Sequence, residues 1–78
     1  MTQLTQTIAE NVRIALAKTG ETQTSLAKNV GIDKSRMSRI LAGESPMSAV
    51  ELFAIADHFN VSTQWFSETR LEELSYAA

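Results

Sequence analysis

The most constraining feature of this sequence is a helical periodicity that covers nearly the whole chain and is broken at short intervals by residues that end helices. Apolar residues recur three and four positions apart, and no stretch alternates apolar with polar residues long enough to make a strand. Gly20, Gly31 and Gly43 divide the pattern, and glycine readily takes the left-handed conformation that follows a helix. The sequence therefore predicts an all-α fold of short helices.

Helix-capping residues give the predicted boundaries. The helix starts are marked by side chains that can accept from free backbone amides, namely Thr7 (with Glu10), Thr22, Asp33, Ser48 (with Glu51) and Ser62. These residues predict helices over 7–19, 23–30, 34–42 and 49–59, and a last short turn that holds Trp65 and Phe66. We expect a compact bundle of about five helices. A further short helix in the C-terminal tail is left open.

Composition limits the classes of function. With 78 residues, the chain is near the lower size at which one apolar core suffices without disulfides or metals. It has no Cys and one His, so we expect no metal site and no cofactor. The N-terminus does not resemble a signal peptide and no run of about 18 apolar residues is present, so we expect a soluble cytoplasmic protein without a membrane partner. We do not expect an enzyme, because no catalytic motif is visible and His58 is interpreted as a surface residue.

Charge is distributed unevenly along the chain, although the formal net charge is only −2. The cations of residues 23–43 are Lys28, Lys34, Arg36 and Arg39. With one acidic residue they give this segment a net charge of +3, whereas residues 44–78 carry a net charge of −5. Such an asymmetry can steer one face toward an anion while the rest of the surface stays soluble.

The third predicted helix has two chemically different faces. Its apolar side consists of Met37, Ile40 and Leu41. Its opposite side carries Ser35, Ser38, Arg39 and Ala42, flanked by Lys34 and Arg36. Arg can bond a guanine edge through two N–H groups, Ser adapts to bases or phosphates, and flanking cations can neutralise phosphates, so this face suits a DNA groove. Taken alone, the same residues also fit an ordinary solvated helix face.

The segment QTSLAKNVGIDKSRMSRILAG, residues 23–43, resembles the helix-turn-helix of the XRE-like lambdoid phage repressor and Cro superfamily. The resemblance continues through PMSAVELFAIADHFNVSTQWF and covers roughly residues 7–66. It implies a five-helix, lambda-repressor-like DNA-binding domain over 1–66 with its helix-turn-helix at 23–42. It also implies a homodimeric transcriptional regulator, repressor-like, that places helix 34–42 of each subunit in successive major grooves of a palindromic operator in double-stranded DNA.

The resemblance also assigns roles to individual residues. The positions that read bases are Lys34, Ser35, Ser38 and Arg39. The positions that contact phosphates or flank the site are Gln23, Lys28 and Arg36. For Gln23, a simple helix-start residue is the alternative.

Two departures from the family's pattern are visible. Many members pair an Arg of the first helix with a Glu near the end of the third, but Leu16 and Leu41 stand at these places, so we predict that the two leucines touch. The loop after the third helix, GESPMS, lacks the basic residues that many members carry there. We therefore expect DNA affinity to fall less steeply with salt than in more basic relatives.

The fourth helix has more apolar surface than one core needs. Val50 and Phe53 point away from its core face, so something is expected to cover them. Either the acidic C-terminal extension, residues 67–78, folds back through Leu71 and Leu74, or a second subunit packs on this face.

A second function remains open at this level, because a fold does not fix a function. The acidic C-terminal third could bind a basic protein partner, as an antitoxin binds a toxin. The sequence does not separate a phage repressor, a restriction–modification controller and an antitoxin. Because the sequence ends at Ala78, we expect a stand-alone regulator rather than the binding domain of a longer one.

Overall fold

The structure, a computed structural model, describes residues 2–68, and this part of the chain forms five α-helices. They are α1 (Thr2–Thr19), α2 (Gln23–Val30), α3 (Lys34–Leu41), α4 (Ala49–Phe59) and α5 (Thr63–Ser67). The predicted all-α class with five helices is confirmed. The further tail helix that the sequence left open, and the packing of Leu71 and Leu74 that was one of two alternatives, lie outside the described residues.

The prediction for the start of α1 was wrong. The helix begins at Thr2, and Thr7 lies inside it, where its hydroxyl donates to the carbonyl of Gln3 at 2.9 Å instead of capping the first turn. The segment before Thr7 contains no Gly or Pro to stop a helix, and Leu4 extends the apolar spacing of Ile8 by one turn. A capping-box spacing therefore did not mark a true helix start here.

The other helix ends follow the predicted capping residues. Thr22 accepts from the amide of Ser25, and Asp33 accepts from the amides of the first turn of α3. Ser48 and Glu51 form a complete capping box at the start of α4. The left-handed residues that end α2 and α4 are Gly31, with φ 73°, and Asn60, with φ 58°. Ser62 precedes α5 as predicted, but its side chain makes no capping hydrogen bond.

One apolar core joins all five helices. Its buried members are Val12, Leu16, Leu26, Ala27, Met37, Leu41, Ile55, Ala56 and Phe66. Leu16 and Leu41 therefore share the same core, while their direct contact stays a prediction. Burial of these side chains supplies most of the driving force for folding a domain of this size.

A buried amide fixes α5 against α1. Asn11 is only 1% exposed, and its Nδ2 donates to the carbonyls of Phe66 and Glu68, each at 2.6 Å. These carbonyls stand at the end of α5, where the helix leaves them without partners of its own. Asn11 thus satisfies polar groups that would otherwise be costly to bury.

A hydrogen-bonded pair, His58 and Glu21, joins the end of α4 to the turn between α1 and α2. His58 Nε2 lies 2.7 Å from one carboxylate oxygen of Glu21 and 2.9 Å from the other. Hydrogen bonding from His58 lowers the pKa of Glu21 below its ordinary value, and Asn29 and Ser25 add to this effect. The exposed residue His58 therefore has a structural partner that its sequence position did not indicate.

Candidate nucleic-acid interface

Helix α3 packs on the core by one face and presents the other to solvent. Met37, Ile40 and Leu41 are at most 5% exposed, as predicted for the apolar face. The exposed residues of the opposite side and its flank are Lys34, Ser35, Ser38, Arg39 and Ala42. The structure thus brings the four predicted base-reading residues together on exposed surface.

Helix α2 and a tight turn set the position of α3. The amide of Ile32 donates to the carbonyl of Ala27 at 3.0 Å, which closes the turn after α2. Leu26 and Ala27 of α2 are buried in the same cluster as Met37 of α3. Two short helices crossing through a turn of this kind form a helix-turn-helix.

The cations of this surface differ in whether they are bonded to other groups of the protein. The side chains of Lys28, Lys34 and Arg39 are exposed and have no hydrogen-bond or ion-pair partner within residues 2–68. Gln23 is half-buried at the start of α2, and its side chain likewise has no such partner in the described part of the chain. These groups are available to an external ligand without breaking an internal contact.

Arg36 is engaged inside the protein. Its Nε donates to Glu51 Oε2 at 2.5 Å and its Nη2 donates to Glu51 Oε1 at 2.7 Å. In addition, Nη1 donates to Ser45 Oγ and Nη2 donates to the carbonyl of Pro46, each at 3.2 Å. A guanidinium has five N–H donors, and four hydrogen bonds are made here. The expected phosphate contact of Arg36 would therefore have to use the remaining N–H or displace these bonds.

Glu51 serves two helices at once. Its Oε1 accepts from the amide of Ser48 at 2.8 Å, which completes the capping box of α4, and also accepts from Arg36. The Arg36 guanidinium, helped by the bonds to Ser48, lowers the pKa of Glu51 from 4.5 to about 2. The carboxylate is therefore ionised, and its pair with Arg36 fully charged, at neutral pH.

The opposite end of α3 is held by α1. An Nη1 group of Arg13 donates to the carbonyl of Leu41, the last residue of α3, and Nε2 of Gln6 donates to the carbonyl of Gly43 at 3.3 Å. A cation at a helix C-terminus is favourable because the helix dipole leaves negative charge there. Many members of the family that this sequence resembles join α1 to α3 by an Arg–Glu ion pair. Here Arg13 of α1 joins the two helices by its hydrogen bond to the backbone carbonyl of Leu41.

Sequence reasoning missed three residues that position this surface. Glu51 was identified as a cap, but its bonds to Arg36 were not foreseen, and neither were those of Arg13 and Asn11. No local spacing marks these contacts, since the partners lie 15, 28 and 55 residues apart along the chain.

The apolar surface on α4 is present as predicted, whereas its cover is not described. Val50 is 80% exposed and Phe53 is 64% exposed. Phe53 also borders an open groove of about 350 Å³ that reaches Val61 and Thr63. Leu71 and Leu74, which cover this surface in one of the two alternatives predicted from sequence, lie outside the described residues.

Metal-binding clusters and membrane-spanning helices are both absent from residues 2–68. Within residues 2–68, no three His, Asp or Glu side chains come together in a way that could hold a metal ion. Among these same residues, no helix has both the length and the apolar character needed to cross a bilayer.

Comparisons with known proteins agree with this architecture. The chain is 34% identical over 62 residues to the HTH-type transcriptional regulator for conjugative element SXT of Vibrio cholerae, and equally to that for conjugative element pMERPH of Shewanella putrefaciens. Each alignment covers 80% of this chain, and the chain spans only 28% of the length of these relatives.

A solved structure and a family model also match. The crystal structure of the hypothetical transcription factor NHTF from Neisseria superposes with a TM-score of 0.82 at 21% identity, over 97% of this chain and 88% of that chain, which shows a shared fold. A family model described as Helix-turn-helix matches residues 12–66. The chain therefore belongs to the XRE-like, repressor and Cro type of helix-turn-helix proteins.

Proposed function

We propose that this protein is a sequence-specific, double-stranded DNA-binding transcriptional regulator that inserts α3 into the major groove. One observation carries the proposal: α3 is buried by one face, and the other presents Lys34 and Arg39 among small Ser and Ala side chains, with no hydrogen-bond or ion-pair partner for either cation within residues 2–68. Small residues let the helix backbone approach the base edges, and the cations meet the negative potential of the groove. The relatives named as HTH-type transcriptional regulators support the same assignment.

We assign separate roles to the exposed side chains. Arg39, at the centre of the face, reads a guanine through O6 and N7, with Lys34, Ser35 and Ser38 reading neighbouring bases or phosphates. Lys28 and Gln23 contact the phosphate backbone from α2. Base contacts determine which sequence is preferred, while phosphate contacts strengthen binding to every sequence.

We further propose that the protein binds a palindromic operator as a homodimer. A single α3 reads only a few base pairs, and two copies related by a twofold axis read half-sites about one helical turn apart. The exposed surface formed by Val50 and Phe53 is our candidate for a contact that a second copy covers. The C-terminal tail remains the alternative cover.

Paired substitutions test the assignment. We expect Arg39→Ala to lower the preference for the selected operator by about 1–3 kcal/mol, because a base contact is lost. Lys28→Ala should instead weaken binding to all duplexes alike and reduce the slope of log affinity against log salt by about 1. Lys18→Ala, which removes one positive charge on α1, is the control. Fluorescence anisotropy with operator and scrambled duplexes measures each ratio, and equal effects of Arg39→Ala and Lys18→Ala would refute the role of Arg39.

The acidity of the C-terminal third favours one other function, binding of a basic protein partner such as a toxin. Under that function Arg39→Ala would leave partner binding intact. The two functions are compatible in one protein, since they are assigned to different segments of the chain.

A further inference from the structure

We propose that the Arg36–Glu51 pair fixes the rotation of α3 about its own axis and thereby sets operator specificity without touching DNA. This inference rests on the proposed function, since it concerns how α3 is presented to the groove. It replaces the expected phosphate role of Arg36 with a positioning role. The first reason is that Arg36 is bonded to Glu51, whereas Lys34 and Arg39 have no hydrogen-bond or ion-pair partner in the described part of the chain.

The second reason is where Arg36 stands on α3. At about 100° per residue, it lies about 40° from Ile40 on the core face and about 60° from Arg39 on the exposed face. Arg36 is thus on the flank where the two faces meet. A bond at the flank of a helix opposes rolling of that helix, because rolling would pull the flank away from its partner. The apolar contacts of Met37 and Ile40 are less directional and do not fix rotation as closely.

The third reason is what the pair connects. Arg36 belongs to the first turn of α3, and its partners are the loop residues Ser45 and Pro46 and the capping residue Glu51 of α4. Glu51 itself is fastened to the start of α4 by the amide of Ser48 at 2.8 Å. Arg36 is therefore bonded to a side chain that is itself hydrogen-bonded to the backbone at the start of α4.

The far end of α3 is fastened separately. Arg13 of α1 donates to the carbonyl of Leu41, so α3 is held at its first turn by α4 and at its last residue by α1. Base recognition requires side chains to be held within about 0.5 Å and 10–20° of the productive geometry. Two anchors at opposite ends of a helix of eight residues restrict both its tilt and its rotation.

Substitution of Glu51 by Gln distinguishes a positioning role of Arg36 from a phosphate-binding role, because the two roles predict opposite changes in affinity for the operator. Gln retains the capping function, because its amide oxygen accepts from the Ser48 amide as Glu does. If Arg36 contacts a phosphate, Glu51→Gln releases a cation, removes an anion and strengthens DNA binding. If Arg36 positions α3, Glu51→Gln weakens binding to the operator and leaves binding to other sequences unchanged or slightly stronger.

The experiment measures the affinities of wild type, Glu51→Gln and Arg36→Met for the operator and for a scrambled duplex, by anisotropy at four salt concentrations. The Met side chain keeps the apolar stem of Arg36 without its charge. We expect both variants to lower the ratio of operator to scrambled affinity about tenfold, as when one bidentate base contact is weakened. The salt slope of Arg36→Met should equal that of wild type, whereas loss of a phosphate contact would reduce it by about 0.9.

A matched variant separates positioning from general stability. His58→Leu removes the ring nitrogen that bonds Glu21, in a pair that, like the Arg36–Glu51 pair, joins two segments on the surface but does not involve α3. All variants are measured at a temperature where circular dichroism shows them folded. We expect His58→Leu to lower Tm and to leave the affinity ratio at the wild-type value.

Each result has one meaning. An unchanged or increased ratio in Glu51→Gln, a reduced salt slope in Arg36→Met, or an equal loss of ratio in His58→Leu would overturn the positioning role while leaving DNA binding by α3 intact. A wild-type protein without any sequence preference would overturn the proposed function itself, and the positioning role with it.

Discussion

At the scale of single residues, the chemistry of this surface depends on which charges are already paired. Arg36 and Arg39 are the same residue type on one short helix, three positions apart. Arg36 is bonded to Glu51, while Arg39 is exposed and has no hydrogen-bond or ion-pair partner among the residues that the structure describes. The difference arises because Glu51, placed by its own capping function, lies within reach of Arg36 only. Charge counts along a sequence therefore overestimate the cations that a ligand can use.

The Arg36–Glu51 pair should give the protein a measurable sensitivity to acid. The pKa of Glu51 is about 2 in the folded protein against an ordinary value of 4.5, so its contribution to stability is complete above pH 4.5 and is lost as the pH falls toward 2. The two side chains remain 33% and 17% exposed, which limits the contribution to roughly 1 kcal/mol. We expect Glu51→Gln to be less stable than wild type by that amount at pH 7 and nearly equal to it near pH 2. Urea unfolding across this range measures the difference, and a gap that does not change with pH would contradict the assignment.

At the scale of helices, the helix ends that are marked by capping residues were predicted from sequence. Asp33, Ser48 and Asn60 mark helix ends through bonds to backbone groups a few residues away, and the structure has all three in these roles. The start of α1 was missed, because the residues before Thr7 carry no local stop and the capping spacing there was coincidental.

The contacts that orient the helices were beyond sequence reasoning for a physical reason. The Asn11 amide meets the carbonyl of Phe66, 55 residues later, and the bond of Arg13 to Leu41 ends on a backbone carbonyl that any residue type would offer. Exposure of the predicted base-reading residues was foreseen, because helical periodicity alone separates them from the core face. Whether they contact DNA stays a prediction.

We expect Asn11→Ala to destabilise the protein by about 2–3 kcal/mol. The substitution leaves the carbonyls of Phe66 and Glu68 without their donor at the junction of α1 and α5. Asn29→Ala is the control, because Asn29 is an exposed amide that also hydrogen-bonds and should cost below about 0.5 kcal/mol. Thermal unfolding followed by circular dichroism measures both, and equal losses of stability would rule out a special role for the buried amide.

At the scale of the whole molecule, the cations that have no partner within residues 2–68 and the exposed apolar surface lie on different helices. Lys28, Lys34 and Arg39 belong to the helix-turn-helix, whereas Val50 and Phe53 belong to α4. A face for DNA and a separate face for a second copy would together explain how a domain this small reads an operator. The chain matches only 28% of the length of its named relatives, so their additional functions are not carried over to it.

A charged substitution tests whether the exposed apolar surface of Val50 and Phe53 is a dimer interface. We expect Phe53→Asp to stay folded and to dissociate the dimer, because a buried carboxylate without a partner is costly at an interface. Leu4→Asp, which places the same charge on an apolar residue of α1 that is 45% exposed, is the control and should not affect assembly. Analytical ultracentrifugation at low micromolar concentration measures the association. A Phe53→Asp protein that stays folded and dimeric would exclude this face as the interface and as the site of tail packing.

The most direct test of DNA reading by α3 is selection of the purified protein against a random double-stranded DNA library at near-physiological salt, followed by sequencing of the retained duplexes. We predict an enriched palindrome whose half-sites are centred about one helical turn apart, and the Arg39→Ala protein should fail to enrich it. A folded wild-type protein that enriches no sequence would show that α3 does not read DNA and would favour binding of a protein partner instead.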